Sequence, residues 1–164
     1  MEPADMRSRN KESFVLFRNT TQRTINLYWY LDHNITFHMT LTPGAQCKTN
    51  TFTNHGWIFF DKDTRELMHV NHSKIFWPKT YQMPDPADPS RLIPCRKEIR
   101  ICLPLRSLRD NCLWRIVQTL ASIPPTLATK VIDEFMSIPN TLKSELKERL
   151  NRQLNPNRTL LQIH

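Results

Sequence analysis

Glycine is almost missing from this chain: its 164 residues include two, Gly44 and Gly56. Turns must therefore be made by Asn, Asp and Pro, which supply turn conformations by other means. Long apolar runs are missing too. None approaches the roughly 18 residues that a membrane helix needs, and the start, Met1-Glu2-Pro3-Ala4-Asp5-Met6-Arg7, has no signal-peptide core. The expectation is a soluble, intracellular protein. Cys47, Cys95, Cys102 and Cys112 form no CxxC pair and have no matched His spacing, which argues against zinc. In a reducing compartment they are four free thiols. No metal and no cofactor is expected. Four sequons begin at Asn19, Asn34, Asn71 and Asn157; without secretion they are chance matches, with Asn and Thr serving turns.

What is present supports a packed core. The chain is 39% hydrophobic, with four Trp, eight Phe and three Tyr to bury, a size and composition that suit one ordinary domain or two small ones. The formal net charge is +8, from 23 basic and 15 acidic residues. Such a balance would suit a polyanion, but it is spread over Arg91, Arg96, Lys97 and Arg100, then Lys143, Lys147, Arg149, Arg152 and Arg158. No zinc finger, RNP motif or basic zipper accompanies it. A basic sandwich that binds nucleic acid or cytoskeleton is thus an alternative, not the leading reading, and a hydrolase lacks a paired nucleophile and base.

The first hundred residues read as strands. A polar segment over 1–12 is expected to be loose. Phe14–Phe17 begins the ordered part, closed by turn residues from Arg18 to Thr21. Ile25, Leu27, Trp29 and Leu31 alternate with Asn26, Tyr28 and Tyr30, the period of a half-buried strand. Further strands are expected at Phe37–Leu41, Cys47–Thr53, Trp57–Phe60, Leu67–Val70 and Lys74–Trp77, with turns at Thr42-Pro43-Gly44 and Asp61–Thr64. Residues 79–97, with four prolines, read as an exposed loop, and Glu98–Leu103 as the last strand. Strands at this spacing predict an antiparallel β-sandwich over 13–105.

From Ser107 the period changes. Ser107 and Asp110 form a capping-box-like helix start, with a hydroxyl for an early backbone N–H and a carboxylate in the positive first turn. Leu108, Cys112 and Ile116 make one ridge, and Leu113, Val117 and Leu120 a second. Together they cover about half the circumference, wider than the stripe a helix needs for a single neighbour. A second helix follows Pro124-Pro125, carrying Leu127, Val131, Ile132, Phe135 and Met136 until Pro139 breaks it. Asn140 is expected to cap a third with Leu142, Leu146, Leu150 and Leu154, supported by Glu145–Arg149 and Glu148–Arg152 pairs. The reading is α+β: a sandwich, a three-helix domain over 106–154, and a tail over 155–164. Three helices of about 45 residues make a small core, so the helical part is expected to finish its packing on an outside surface.

One stretch of the strand region stands out, Asn50-Thr51-Phe52-Thr53-Asn54-His55-Gly56-Trp57. Phe52 and Trp57 suit a core and His55 suits a turn, with no carboxylate, Ser or Cys beside it to form a catalytic set. Thr, His and Trp together can also build an aromatic slot with a hydroxyl and an imidazole at its floor.

Ser107-Leu108, Cys112 and Ile116 at this spacing resemble the BC box, the elongin C-binding helix of substrate receptors in cullin–RING ubiquitin ligases. Ile123-Pro124-Pro125-Thr126-Leu127 resembles the cullin-selecting box that follows one. With the strand-rich first hundred residues, the chain is similar to the von Hippel–Lindau tumour suppressor family over roughly residues 13–150. The resemblance implies a non-catalytic ligase subunit of cytoplasm and nucleus; nothing in the sequence resembles a RING zinc pattern or a ubiquitin-accepting cysteine site. Its implied partners are elongin C with elongin B, a cullin and its RING subunit, and prolyl-hydroxylated hypoxia-inducible factor α.

Carried over position by position, the resemblance makes Trp29 a wall against the 4-hydroxyproline ring. Thr51 and His55 bond its hydroxyl, Trp57 closes the pocket, and Asn50 and Phe52 flank the peptide. Leu108, Arg109, Cys112 and Ile116 would meet elongin C; Ile123, Pro124 and Leu127 would select the cullin. Two positions depart from the family pattern. Its pocket serine is Thr51 here, and a peptide-contacting tyrosine aligns, after a one-residue gap, with His38. A BC-box adaptor with a non-hydroxylated cargo is the nearest alternative.

Overall fold

The computed structural model describes residues 11–32 and 34–155, without the Phe135 side chain. The expectations for residues 1–10, for the Phe135 side chain and for the tail beyond Asn155 lie outside the described residues. The remainder parts between Pro104 and Leu105 into two compact units.

The first unit is two three-stranded sheets and a short ribbon. Strands β1 (Glu12–Asn19), β4 (Gln46–Phe52) and β8 (Lys97–Ile101) form one sheet in the order β4-β1-β8; β2 (Ile25–Leu31), β3 (Asn34–Leu41) and β5 (Gly56–Asp61) form the other, in the order β3-β2-β5. Alternation builds the interior: Ser13, Val15, Phe17 and Asn19 of β1 are buried, while Glu12 and Arg18 are exposed. β5 is buried along its whole length, as its compact apolar run predicts. Phe17 anchors the core, its ring 4.8 Å from that of Trp57, 5.3 Å from Phe59 and 6.0 Å from Phe76.

The fold class expected from sequence stands, and the structure refines its details. β8 runs parallel to β1, with Phe17 opposite Ile99, so the sheet is mixed rather than antiparallel. A parallel neighbour needs a long crossover, and the chain from β5 to β8 supplies one. The stretches 67–70 and 74–77 contribute isolated bridges, Phe60 to Leu67 and Trp57 to Phe76, instead of full strands. The proline-rich segment carries a ribbon of β6 (Gln82–Pro84) and β7 (Leu92–Pro94), its turn held by Asp85 and Asp88 side chains that accept from Ala87 and Ser90 amides. Glu12 belongs to β1 and not to a loose start, and Arg18 and Asn19 extend that strand where turn chemistry was expected. Asn19 is fully buried: its Nδ2 donates to the carbonyls of Arg23, Leu41 and Thr42, and its Oδ1 accepts from the Thr21 amide and hydroxyl.

Each of the two glycines stands where a side chain would meet strain or crowding. Gly44 follows Pro43 with φ +75°, and the Ala45 amide bonds Thr42 O at 3.0 Å, closing a type II turn. At Gly56 a Cβ would meet Ile75 Cγ2 and the Trp77 ring at 3.1 Å.

The second unit holds α1 (Leu108–Ala121), α2 (Pro125–Lys130), a π-helical turn (Val131–Phe135) and α3 (Asn140–Leu154). Ser107 caps α1: its Oγ accepts from the Asp110 amide at 3.1 Å and donates to the Asp110 carboxylate at 2.7 Å. Leu113, Val117 and Leu120 pack with Ala128, Ile132, Leu146 and Leu150. Two local expectations are corrected. Pro139, not Asn140, holds the cap position of α3, because its extended ψ of 147° turns its carbonyl to the Leu142 and Lys143 amides. Met136 leaves the helical path with ψ 114°, so the second helical segment ends at Phe135.

Candidate functional site

Six of the seven residues singled out in the strand unit come together, drawn from both sheets. Trp29 of β2 stands opposite Trp57 of β5 in the ladder. Thr51 reaches this wall from β4: it is 3% exposed, and its Oγ1 accepts from Trp57 Nε1 at 3.1 Å. A tight turn, closed by the His55 amide on Phe52 O at 3.0 Å, returns the chain so that the His55 ring stacks on Trp29, centroids 5.1 Å apart and planes 23° from parallel. Phe52 meets the His55 ring edge-on at 5.2 Å. The imidazole is thus positioned by aromatic rings on two sides.

His38 enters by a different device. Leu27 pairs with Met39 and Tyr28 with Phe37, so His38 is the extra residue of a β-bulge in β3. Bulges re-aim side chains and recur beside binding sites; this one sets the His38 ring edge-on to Trp57 at 5.1 Å. Partial burial pushes the pKa of both imidazoles below the ordinary 6.5, with the Asp32 carboxylate opposing the shift at His55. Both are neutral near pH 7, and each then carries one donor and one acceptor nitrogen.

Asn50 does not join them. Alternation along β4 turns Thr49 and Thr51 inward and leaves Asn50 and Phe52 on the exposed face. There Arg96 pins Asn50: Nη2 donates to Asn50 Oδ1 at 2.7 Å and Nη1 to the carbonyls of Val15 and Thr49, with the guanidinium 5.7 Å over the Phe14 ring. Sequence reasoning missed Arg96 because its partners lie far away along the chain. The bulge was detectable only as the one-residue gap at His38. Among the described residues β4 is an edge strand, so this aromatic cluster lies beside a row of backbone groups that no neighbouring strand pairs.

In the helical unit the two ridges of α1 separate. Leu113, Val117 and Leu120 are interior, whereas Leu108 is 81% exposed and Cys112 is exposed beside it; Ile116 is half-buried against the core. Arg109 forms a bidentate pair with Glu145 of α3, at 2.6 and 3.3 Å. Arg149 joins Asp110 at 2.6 Å and Glu145 at 2.8 Å. Hydrogen bonding, from Ser107 first at Asp110 and from Arg109 first at Glu145, holds both carboxyls below their usual range. Ile123 packs partly into the core, while Pro124 and Leu127 stay exposed. Among the described residues, no three His, Cys, Asp or Glu side chains gather as a metal site would require, and no helix is long and apolar enough to cross a membrane.

These features define an α+β protein of two units, a β-sandwich with an aromatic slot and a helical bundle with an exposed apolar ridge. A family model described as the VHL beta domain matches residues 5–83. Protein Vhl of Drosophila melanogaster is 41% identical over 137 residues, covering 82% of this chain and 76% of that protein. The chain belongs to the VHL family.

Proposed function

We propose that this chain is the substrate-recognition subunit of a cullin–RING ubiquitin ligase, working in cytoplasm and nucleus. Its sandwich takes a 4-hydroxyproline-containing segment of hypoxia-inducible factor α, and its helices dock on elongin C, paired with elongin B. A cullin and its RING subunit then bring the loaded conjugating enzyme near the captured target. The chain itself performs no chemistry; its contribution is proximity.

The observation that carries this reading is the slot. Trp29 and His55 form a stacked wall, Trp57 the back, and the Thr51 hydroxyl lies on the indole N–H, all beside the free edge of β4. An extended peptide laid along that edge gains main-chain hydrogen bonds, and a pocket for one side chain supplies specificity. The pyrrolidine ring would lie against these aromatic faces, with its hydroxyl toward the neutral His55 imidazole and the Thr51 hydroxyl. Thr51 Oγ1 already accepts from Trp57 Nε1, so unmodified proline leaves the Thr51 O–H and the His55 ring nitrogen unmatched, and each buried orphan costs about 1–3 kcal/mol. Sites built around a substrate hydroxyl reject the analogue lacking it by as much as about 10⁴–10⁵-fold. An oxygen-dependent hydroxylation thereby becomes a binding decision.

On the helical side, Leu108 is the apolar anchor offered to elongin C, and its burial would contribute about 1.5–3 kcal/mol. Cys112 is a small, nearly apolar knob beside it. The test compares peptide binding with and without the prolyl hydroxyl for wild type and His55→Ala. The substitution is expected to weaken the hydroxylated peptide and leave the weak unmodified one nearly unchanged; equal losses on both refute the pocket.

A further inference from the structure

The sandwich has a second open strand edge on a different face from the slot. β8 closes the β4-β1-β8 sheet on the side away from β4, and among the described residues its only strand partner is β1. Residues beyond β5 run antiparallel to it and touch it at two places. At one end His69 and Cys102 exchange both backbone bonds, at 2.9 and 2.8 Å; at the other the Cys95 amide reaches Tyr81 O at 2.9 Å. More chain separates His69 from Tyr81 than separates Cys95 from Cys102, so the longer side bows away. Its departure is built in: Asn71 and His72, both at positive φ (50° and 64°), form a two-residue turn closed by mutual bonds between Val70 and Ser73. The gap left between the two chains is a groove of about 530 Å³, within the range of ligand sites.

Backbone direction makes this groove specific. Cys102 turns its N–H and C=O toward His69, and Ile101 O turns to the Thr20 amide on the β1 side. Alternation therefore aims the N–H and C=O of Glu98 and Arg100 into the groove. Among the described residues neither has a backbone hydrogen bond on that side; the one contact is a 3.8 Å approach of Cys102 Sγ to Arg100 O. Ile75, Trp77 and Tyr81 line the opposite wall, and Lys79, Lys97 and Arg100 stand among the lining residues. The carboxylate there, Glu98, is already bridged by Arg100 at 2.8 Å and Arg18 at 3.5 Å.

We propose that this groove is a second peptide site, in which an extended acidic segment of a partner protein adds as a strand to β8. The open N–H and C=O groups of Glu98 and Arg100 supply the ladder. The Ile75, Trp77 and Tyr81 wall takes the apolar side chains of every second residue, and the cationic rim takes the acidic ones. The sign of the rim selects acidic over basic partners. A ligase subunit with such a site would hold two segments at once, on separate faces.

The test uses the full chain and a labelled peptide of alternating Glu and Val, six residues long, with the Lys–Val peptide of the same pattern as control. Saturable, salt-sensitive binding of the acidic peptide alone is expected. On binding, the Glu98 and Arg100 amides become protected from hydrogen exchange, while Ile99 and Ile101, already in the β1 ladder, change little. The double substitution Lys79→Glu with Lys97→Glu loses at least about tenfold in affinity. Arg100→Pro binds more weakly than Arg100→Gln, since proline removes the outward N–H on an edge strand that tolerates it; if the proline variant fails to fold, exchange on the wild type decides. Absence of saturable binding by wild type, equal binding of the Lys–Val peptide, or binding without protection of Glu98 and Arg100 overturns the proposal. A hydroxyproline peptide in the slot is expected not to displace the acidic one.

Discussion

Thr51→Val tests the slot's interior. The substitution keeps the side chain's shape and removes the hydroxyl that accepts from Trp57 Nε1 at 3.1 Å. Both residues are 3% exposed, so water cannot replace that acceptor without opening the slot. An orphaned indole N–H in this setting costs about 1–3 kcal/mol of stability. For a unit of this size each kilocalorie lowers the melting temperature by about 4–8 °C. Trp57→Phe removes the donor instead and costs packing against Phe17. In the double variant no donor is left to orphan, so the two losses are expected to fall short of additivity by about 1–2 kcal/mol. Urea unfolding of the wild type, both single variants and the double variant measures the cycle. Additivity within about 0.5 kcal/mol would mean that the Thr51–Trp57 bond carries no energy, and the reasoning fails. The same Thr51→Val variant is expected to bind hydroxylated and unmodified peptides with much closer affinities than wild type does.

Leu108→Asp is expected to abolish co-purification with elongin C, since a charge would be buried at the contact. Because Leu108 is 81% exposed in the chain alone, unfolding of the free protein is expected to change little. Degron binding is expected to be flat near pH 7 and to weaken only below the ordinary 6.5: burial lowers the His55 pKa in the folded chain, and binding that needs the neutral imidazole is lost as pH falls through that lowered value. A pH titration of peptide affinity checks this, and His55→Asn is expected to flatten the His55 contribution. Asn19→Leu removes the donor to the carbonyls of Arg23, Leu41 and Thr42, of which Thr42 O keeps the Ala45 amide, and the acceptor for the buried Thr21 amide and hydroxyl; a loss of at least about 2 kcal/mol in urea unfolding is expected.

Local rules make much of this molecule legible in its sequence. Ser107 and Asp110 announced the start of α1, and the helical period of Leu113, Val117 and Leu120 announced its buried face. The alternation around Ile25 and Leu27 marked β2 as a strand, although Asn26 between them is buried too and Tyr28 to Leu31 show no in-and-out contrast; the Thr51-to-Trp57 stretch contains three side chains of the aromatic cluster. What stayed hidden depends on partners distant in the chain. β8 lies parallel to β1 because of a crossover whose end point no local pattern encodes. Asn19 sits in a sequence that reads as a turn, yet its side chain satisfies three carbonyls of neighbouring segments and so belongs in the core. At Asn50 the strand period alone would have warned that it faces away from Thr51; the arginine that pins it could not have been found. His38 shows the limit most sharply, since a single inserted residue in β3 decides whether its ring meets Trp57 or solvent.

The helical unit corrects one physical expectation in a way that bears on docking. Three short helices were expected to leave their packing unfinished, with the Leu108 ridge as the missing piece. In the structure the core is filled by Leu113, Val117, Leu120, Ala128, Ile132, Leu146 and Leu150, each at most 6% exposed; Ile116 packs partly against it, while Leu108 and Cys112 take no part. The start of α1 is instead tied to α3 by charge, through Arg109 to Glu145 and Arg149 to Asp110. Each such pair on an exposed surface is worth little alone, but a network with a bidentate arginine also fixes geometry. Its effect is to hold Leu108 and Cys112 outward on a helix that cannot rotate to bury them. An exposed leucine that is not spare core, on the tied-down first turn of a helix, costs little entropy to present to a partner. Arg109 thereby acts through α3: cutting its link to Glu145 is expected to loosen the ridge and weaken a docked partner even if Arg109 never touches it.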